Sequence, residues 1–224
     1  MRWQEQQDQI EAEVYDVIDE LSDLLSIPIS YYPEVWWMGK TVDSDMVFLP
    51  EYLREELEIR NSQGRSYYII DKRIVIIAEK IKDDILEEAS HSFHFMASGI
   101  SNRSRGTIEC LYLDSLVEMF GFLGARLVEL DSKNPYEAFP DIFRLLHGSQ
   151  KNISCLLLEE SDDNYDLYDF FVYQQGYGLA DRIYFEYLSG NVSLSRLRRM
   201  FLNKFSTPNS AKSYFTRLKN EFWP

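Results

Sequence analysis

Between residues 66 and 98 the spacing of apolar side chains changes period once, and no other feature limits the fold as much. Residues 67–70 and 73–78 are β-branched and aromatic runs, YYII and RIVIIA, on either side of Asp71-Lys72. They read as a hairpin with a two-residue turn. The next stretch, EKIKDDILEEASHSFHFMA, puts Ile81, Ile85, Ala89 and Phe93 at steps of four, and Ser98-Gly99 supplies a glycine stop. That is a helix face with a C-terminal cap. A hairpin running straight into such a helix points to an α+β protein, with a small sheet packed on helices.

The remaining segments extend this picture. Residues 3–26 carry Ile10, Val14, Ile18, Leu21, Leu24 and Leu25 at helical spacing, and IPIS ends the pattern. YYPEVWWM, at 31–38, is β-prone, and Pro33 favours a sheet edge. A further strand is expected in 46–53, with a loop or short helix after it. After the polar loop 101–106, residues 107–130 are helical and largely apolar. Gly121 and Gly124 inside that helix each cost about 1 kcal/mol relative to alanine, which suits close helix packing. A short helix is expected over 135–146. The acidic LEESDDNYD reads as a loop and a boundary, giving domains 1–150 and 151–224. Helices are expected over 167–188, over 194–204 with Ser193 as cap, and from Thr207-Pro208 to about residue 222.

Composition narrows the class. Of 224 residues 45% are hydrophobic, enough to bury a substantial core. The net charge of −14 opposes binding of nucleic acid or anionic membrane by the whole surface. The charge is uneven, because residues 191–224 hold seven basic side chains and one acid, Glu221. Such an end either docks on the acidic body or binds something external. Two short basic helices joined by a tight turn also resemble a helix-turn-helix, so nucleic acid binding through 191–224 is a lesser alternative. Cys110 and Cys155 lie in apolar contexts, which fits reduced, buried thiols in a cytoplasmic protein. The polar start MRWQEQQDQIEAE does not read as a secretory signal. No uncharged apolar run approaches ~18 residues, so no membrane span is expected.

The chemistry concentrates on the first long helix after the hairpin. The chain has three histidines, and two of them, His91 and His94, lie within ILEEASHSFHFMA. Glu87 and His91 are four apart and share a helix face, with Glu88 pointing partly the same way. The order Glu87-Glu88-x-x-His91 is that of the zinc-peptidase motif H-E-x-x-H with glutamate in place of the first histidine. One helix supplies two ligands easily, so a third must come from elsewhere. Glu118 stands between Val117, Met119 and Phe120 on the next helix. A carboxylate in such surroundings needs a cation, an arginine or solvent. An antiparallel pair of helices joined by a short loop returns Glu118 to His91.

In this arrangement residues 31–130 resemble the gluzincin peptidases, the compact minigluzincins in particular. Hairpin, active-site helix and Glu-bearing second helix follow in the same order, and EMFGFLGA is similar to that family's second helix. The resemblance implies a metal-dependent peptidase in which Glu88 is the general base toward a metal-bound water. It implies His91 and Glu118 as metal ligands, Glu87 at the first-histidine position, zinc as the metal, and a peptide substrate along a sheet edge. Tyr112, Tyr173 and Tyr177 are the candidates for stabilising the oxyanion. Glutamate for histidine makes the set richer in oxygen, which also admits manganese or iron. The alternative is a catalytically inactive zincin-like scaffold that binds a protein partner.

Plainer readings stand beside these. Glu118 pairs with Arg126 or Arg103 instead of a metal. His94, one turn beyond His91, reaches the metal in one reading and faces a neighbouring side chain in the favoured one, and His147 interacts with the end of its helix. Asp114 is a surface residue in one reading and an acceptor for His91 in another. Glu88-x-x-His91 also fits the E-x-x-H element of di-metal bundles, but the chain has no second one, so a dimer would have to supply it. Gly176-Tyr177-Gly178 is too lax for a phosphate loop.

Overall fold

The computed structural model describes residues 3–38, 66–78, 82–100, 110–128, 162–205 and 207–222. The elements expected in 46–60, 101–106 and 135–146, with Arg103, His147 and Cys155, lie outside the described residues. In chain order the elements are α1 (Trp3–Leu25), β1 (Glu34–Trp37), β2 (Tyr67–Ile69), β3 (Ile74–Ile77), α2 (Lys82–Ser98), α3 (Leu111–Val128), α4 (Asp162–Leu188), α5 (Leu194–Phe201) and α6 (Pro208–Phe222). The protein is α+β, a small sheet with a larger helical part that includes the C-terminal segment.

The sheet order is β1-β3-β2, with β3 parallel to β1 and antiparallel to β2. Alternation sorts the central strand between two cores. Val75 and Ile77 join Tyr68 and Val35 in the main core, whereas Ile74 and Ile76 join Ile69 and Met38 in a smaller cluster on the other face. Among the described strands β1 lies at an edge, as Pro33 suggests. Its outer side is closed by Gln7 of α1, whose amide donates to the Val35 carbonyl at 2.7 Å and accepts from the Trp37 N–H at 2.8 Å. The other edge among the described strands is β2.

The hairpin keeps the expected register, but its connection is longer than two residues. Ile69 pairs with Ile74, and Ile70–Arg73 form the turn, closed by the Arg73 N–H on the Ile70 carbonyl. A two-residue type I′ turn needs positive φ at both central positions, and Lys72, with no glycine or asparagine there, suits the second poorly. The longer turn needs it once, at Arg73 (φ 57°), whose guanidinium lies 4.2 Å from the Tyr31 ring centroid.

Helix α1 lays Ile10, Val14, Ile18, Leu21 and Leu25 into the core, all essentially inaccessible. Each contributes roughly 1.5–3 kcal/mol relative to an exposed position. The helix stops at Ser26, which is left-handed (φ 53°) and exposed. Glycine is the residue suited to that cap. Ser26→Gly is therefore expected to stabilise the protein by about 1 kcal/mol, read as a raised urea midpoint at unchanged slope.

Helix α2 starts with Asp83 and Asp84 in its first turn, and Ser66 at the foot of β2 donates to Asp84 at 2.7 Å. It ends at Ser98, with Gly99 (φ 66°) as the left-handed cap. Helix α3 is central. Every residue from Leu113 to Ala125 is buried, and α1, α2, α4 and α6 all pack on it. Helix α4 begins at Asp162, earlier than expected, so Asp162, Asp163 and Asp166 fall in its opening turns rather than in a loop. Acids are favoured there by the positive end of the helix dipole.

The C-terminal helices lie on the body. Ser193 caps α5, its side chain accepting from the Arg196 N–H. α5 ends at Phe201, three residues short of expectation, and the chain then sends Phe205 into the core. Thr207 caps α6 by accepting from the Ser210 N–H at 3.2 Å. Several cations of this end are engaged within the protein. Arg196 pairs with Glu221, Lys212 faces the Tyr112 ring, Arg217 faces Tyr214, and Lys219 donates to Gln175 at 3.2 Å. The same buried cluster that contains α1 and α2 side chains also contains Leu197, Phe201, Phe205, Phe215 and Leu218. No described helix is long and apolar enough to cross a membrane.

Candidate metal centre

Two helices bring the three expected ligands together. Glu87 and His91 stand one turn apart on α2, and Glu118 faces them from α3. One donor atom from each can be chosen so that all three lie within 4.8 Å of one another, and no other such group of three exists among the described residues. His91 Nε2 is 3.3 Å from Glu118 Oε2 and 4.0 Å from Glu87 Oε1. Donors about 2 Å from a tetrahedrally bound ion lie about 3.3 Å apart. The first spacing already fits, and the second closes with a small shift of the Glu87 carboxyl.

The close approach of the helices is made by glycines. A Cβ on Gly121 would meet the His91 ring at 2.3–2.6 Å, and one on Gly124 would meet Ser90 at 2.7 Å. Both glycines are packing devices, as their place in an apolar helix suggests. Gly176 was not singled out for this role, yet it lets α4 pack on α3, since a Cβ there would sit 2.7 Å from the Ser115 carbonyl and 2.9 Å from the Glu118 Cβ. The sequence signal was present in a glycine within the aromatic helix stripe QQGYGLA.

Next to Gly176, Tyr177 reaches the site. Its hydroxyl donates to Glu87 Oε1, its ring stacks on Phe122 (4.1 Å, 9°), and Tyr173 packs against its edge. Burial, and secondarily the charge of Glu118, pushes the Glu87 carboxyl up to about 8 despite the Tyr177 hydrogen bond, which acts the other way. Burial, then the neighbouring carboxylates, raises the Tyr177 phenol well above its ordinary range. Two carboxyls facing each other, Glu118 buried and Glu87 half-buried, are the arrangement a cation relieves.

The other candidates fall elsewhere. Glu88, one position on from Glu87, is half-buried and outside the group of three. His94 is buried in an aromatic cluster, stacked on Phe120 at 4.1 Å with Phe205 and Phe201 nearby, so it faces neighbouring side chains. Arg126 pairs with Asp181 of α4 at 3.1 Å. Tyr112 packs on Phe215 of α6. Asp114 is not a surface residue: it is buried, because α3 has no solvent face along that stretch. Nor does it accept from His91, whose Nδ1 is buried without a hydrogen-bond partner among the described residues. Cys110 is buried, as its apolar context suggests.

Compared with family models, with curated proteins and with solved structures, the chain has no match.

Proposed function

We propose that Glu87, His91 and Glu118 hold one divalent cation and that the chain is a zincin-like, metal-dependent peptidase with Glu88 as general base. The observation that carries the metal reading is the convergence of three ligand atoms, from two separate helices, within 4.8 Å. Two carboxylates and a neutral imidazole balance a divalent charge. Zinc follows from the likeness to gluzincins; the oxygen-rich donor set also suits manganese or iron. The bound ion supplies Lewis acidity. The protein supplies a desolvated gap, Glu88 to take a proton, and, among the described strands, the β2 edge for an extended peptide, since Gln7 already occupies β1.

A second reading is a catalytically silent scaffold that binds a protein partner. Two observations favour it. The Tyr177 hydroxyl occupies Glu87 Oε1, and among the described residues His91 Nδ1 has no acceptor behind its ring. The basic end 191–224 puts several cations onto the protein's own rings and carboxylate, which favours docking on the body over nucleic acid.

Elemental analysis of protein purified without chelator or metal-carrying tag tests the site. Near-stoichiometric metal is expected, lost in His91→Ala and in Glu118→Ala. Casein or peptide cleavage abolished by Glu88→Gln, with metal retained, supports the enzyme. Retained metal without cleavage leaves a structural metal site, and a metal-free protein whose stability is indifferent to Zn, Mn and Fe removes the metal reading and favours the silent scaffold.

A further inference from the structure

The geometry points to Tyr177 as a positioning residue of the metal centre, which holds the Glu87 carboxyl by Oε1, the oxygen that faces His91, and so fixes its plane toward the ion. The inference rests on the metal-site reading above and concerns the one ligand at which this chain departs from H-E-x-x-H. An imidazole presents a single fixed lone pair to a metal. A glutamate at the same position has two equivalent oxygens and an additional rotatable bond, so it binds well only when something fixes its carboxyl plane.

The structure supplies such a constraint from a third helix. Tyr177 donates to Glu87 Oε1, not to a backbone group. Its own ring has little freedom. One face stacks on Phe122 at 4.1 Å and 9°, and Tyr173 lies edge-on. The backbone beside it is held as well, because Gly176 leaves no room between α4 and the Ser115–Met119 stretch of α3. Phe122 and Glu118 belong to the same helix. The hydroxyl that fixes one ligand is therefore carried by packing against the helix that bears another. A hydrogen bond of this kind costs about 10–100-fold in metal affinity when removed.

A double-mutant cycle separates positioning from general packing. Zn and Mn affinities are measured for wild type, Tyr177→Phe, Glu87→Gln and the double variant. Phenylalanine keeps the stacked ring and removes only the hydroxyl. Tyr177→Phe is expected to weaken binding about 10–100-fold. In the Glu87→Gln background the same change is expected to cost no further affinity, because the oxygen it orients is no longer a carboxylate ligand. An equal loss in both backgrounds, or wild-type affinity in Tyr177→Phe, overturns the role of Tyr177 and leaves the site intact. A visible charge-transfer band on loading with iron(III), absent in Tyr177→Phe, also overturns it, by placing the phenolate on the ion itself. Should Tyr177→Phe fail to fold, NMR of tyrosine-labelled wild type decides. A hydroxyl proton that persists on Zn loading supports the assignment, and its loss overturns it. Wild type that binds none of these metals defeats the site itself.

Discussion

Metal-free Glu87→Gln is expected to be more stable than wild type at pH 8, and to lose that advantage at pH 5. The cause is the buried carboxyl. In the folded protein Glu87 is pushed up to about 8, against an ordinary value of 4.5. Between those values the native state keeps a proton that the unfolded chain has released. Stability linked to this group is complete below about pH 4.5 and is lost as pH rises toward 8, at up to ~1.4 kcal/mol per pH unit. Glutamine is neutral throughout, nearly the same shape, and still accepts from Tyr177. At pH 8 the variant should therefore gain a few kcal/mol, roughly 5–15 °C in Tm for a chain of this length. Saturating metal reverses the order. A ligand present at 100 times its dissociation constant adds about 2.7 kcal/mol to the protein that binds it. Wild type should show that rise with Zn or Mn, and Glu87→Gln should show little of it. Thermal scans at pH 5 and 8, with chelator and with metal, decide the matter. Parallel curves for the two proteins under all four conditions would mean that the carboxyl is solvated and that the site has been misread.

Much of this centre was legible because its logic is local. Four residues along one helix put Glu87 and His91 on one face whatever the surroundings. A lone acid between Val117, Met119 and Phe120 indicates burial, and the short stretch between α2 and α3 brings it back to His91. The hairpin and the helix caps also follow from neighbouring residues. What local pattern does not carry is which elements meet. The parallel pairing of β1 with β3 joins segments separated by residues 38–73, and no periodicity encodes it. Asp114 was misjudged for a related reason. Amphipathic reasoning grants each helix a wet face, whereas α3 is covered on all sides by four other helices. Tyr177 was visible only as one aromatic among many in its stripe. Its role depends on how α4 lies on α3, and the local clue was the small residue before it.

Gly121→Ala is expected to disrupt the centre without removing any of its chemical groups. A methyl at that position would lie 2.3 Å from His91 Cε1, 2.4 Å from Nε2 and 2.6 Å from Nδ1. These are contacts with the whole width of a rigid ring in a buried layer, not with the tip of a flexible chain. Either the helices separate or the imidazole swings out of line with Glu118. Overpacking of this kind costs about 1–3 kcal/mol, and more where the neighbour cannot give. Metal binding should be lost as well, although all three ligands remain in the chain. The control is the same substitution in a His91→Ala background. There the ring is gone, the new methyl enters the space it left, and alanine's better helix propensity contributes about 1 kcal/mol. The sign of Gly121→Ala should then change from destabilising to neutral or stabilising. Urea denaturation of the four proteins measures this directly. If Gly121→Ala costs the same with and without His91, the imidazole does not lie against that glycine, and the two helices do not approach closely enough to share an ion.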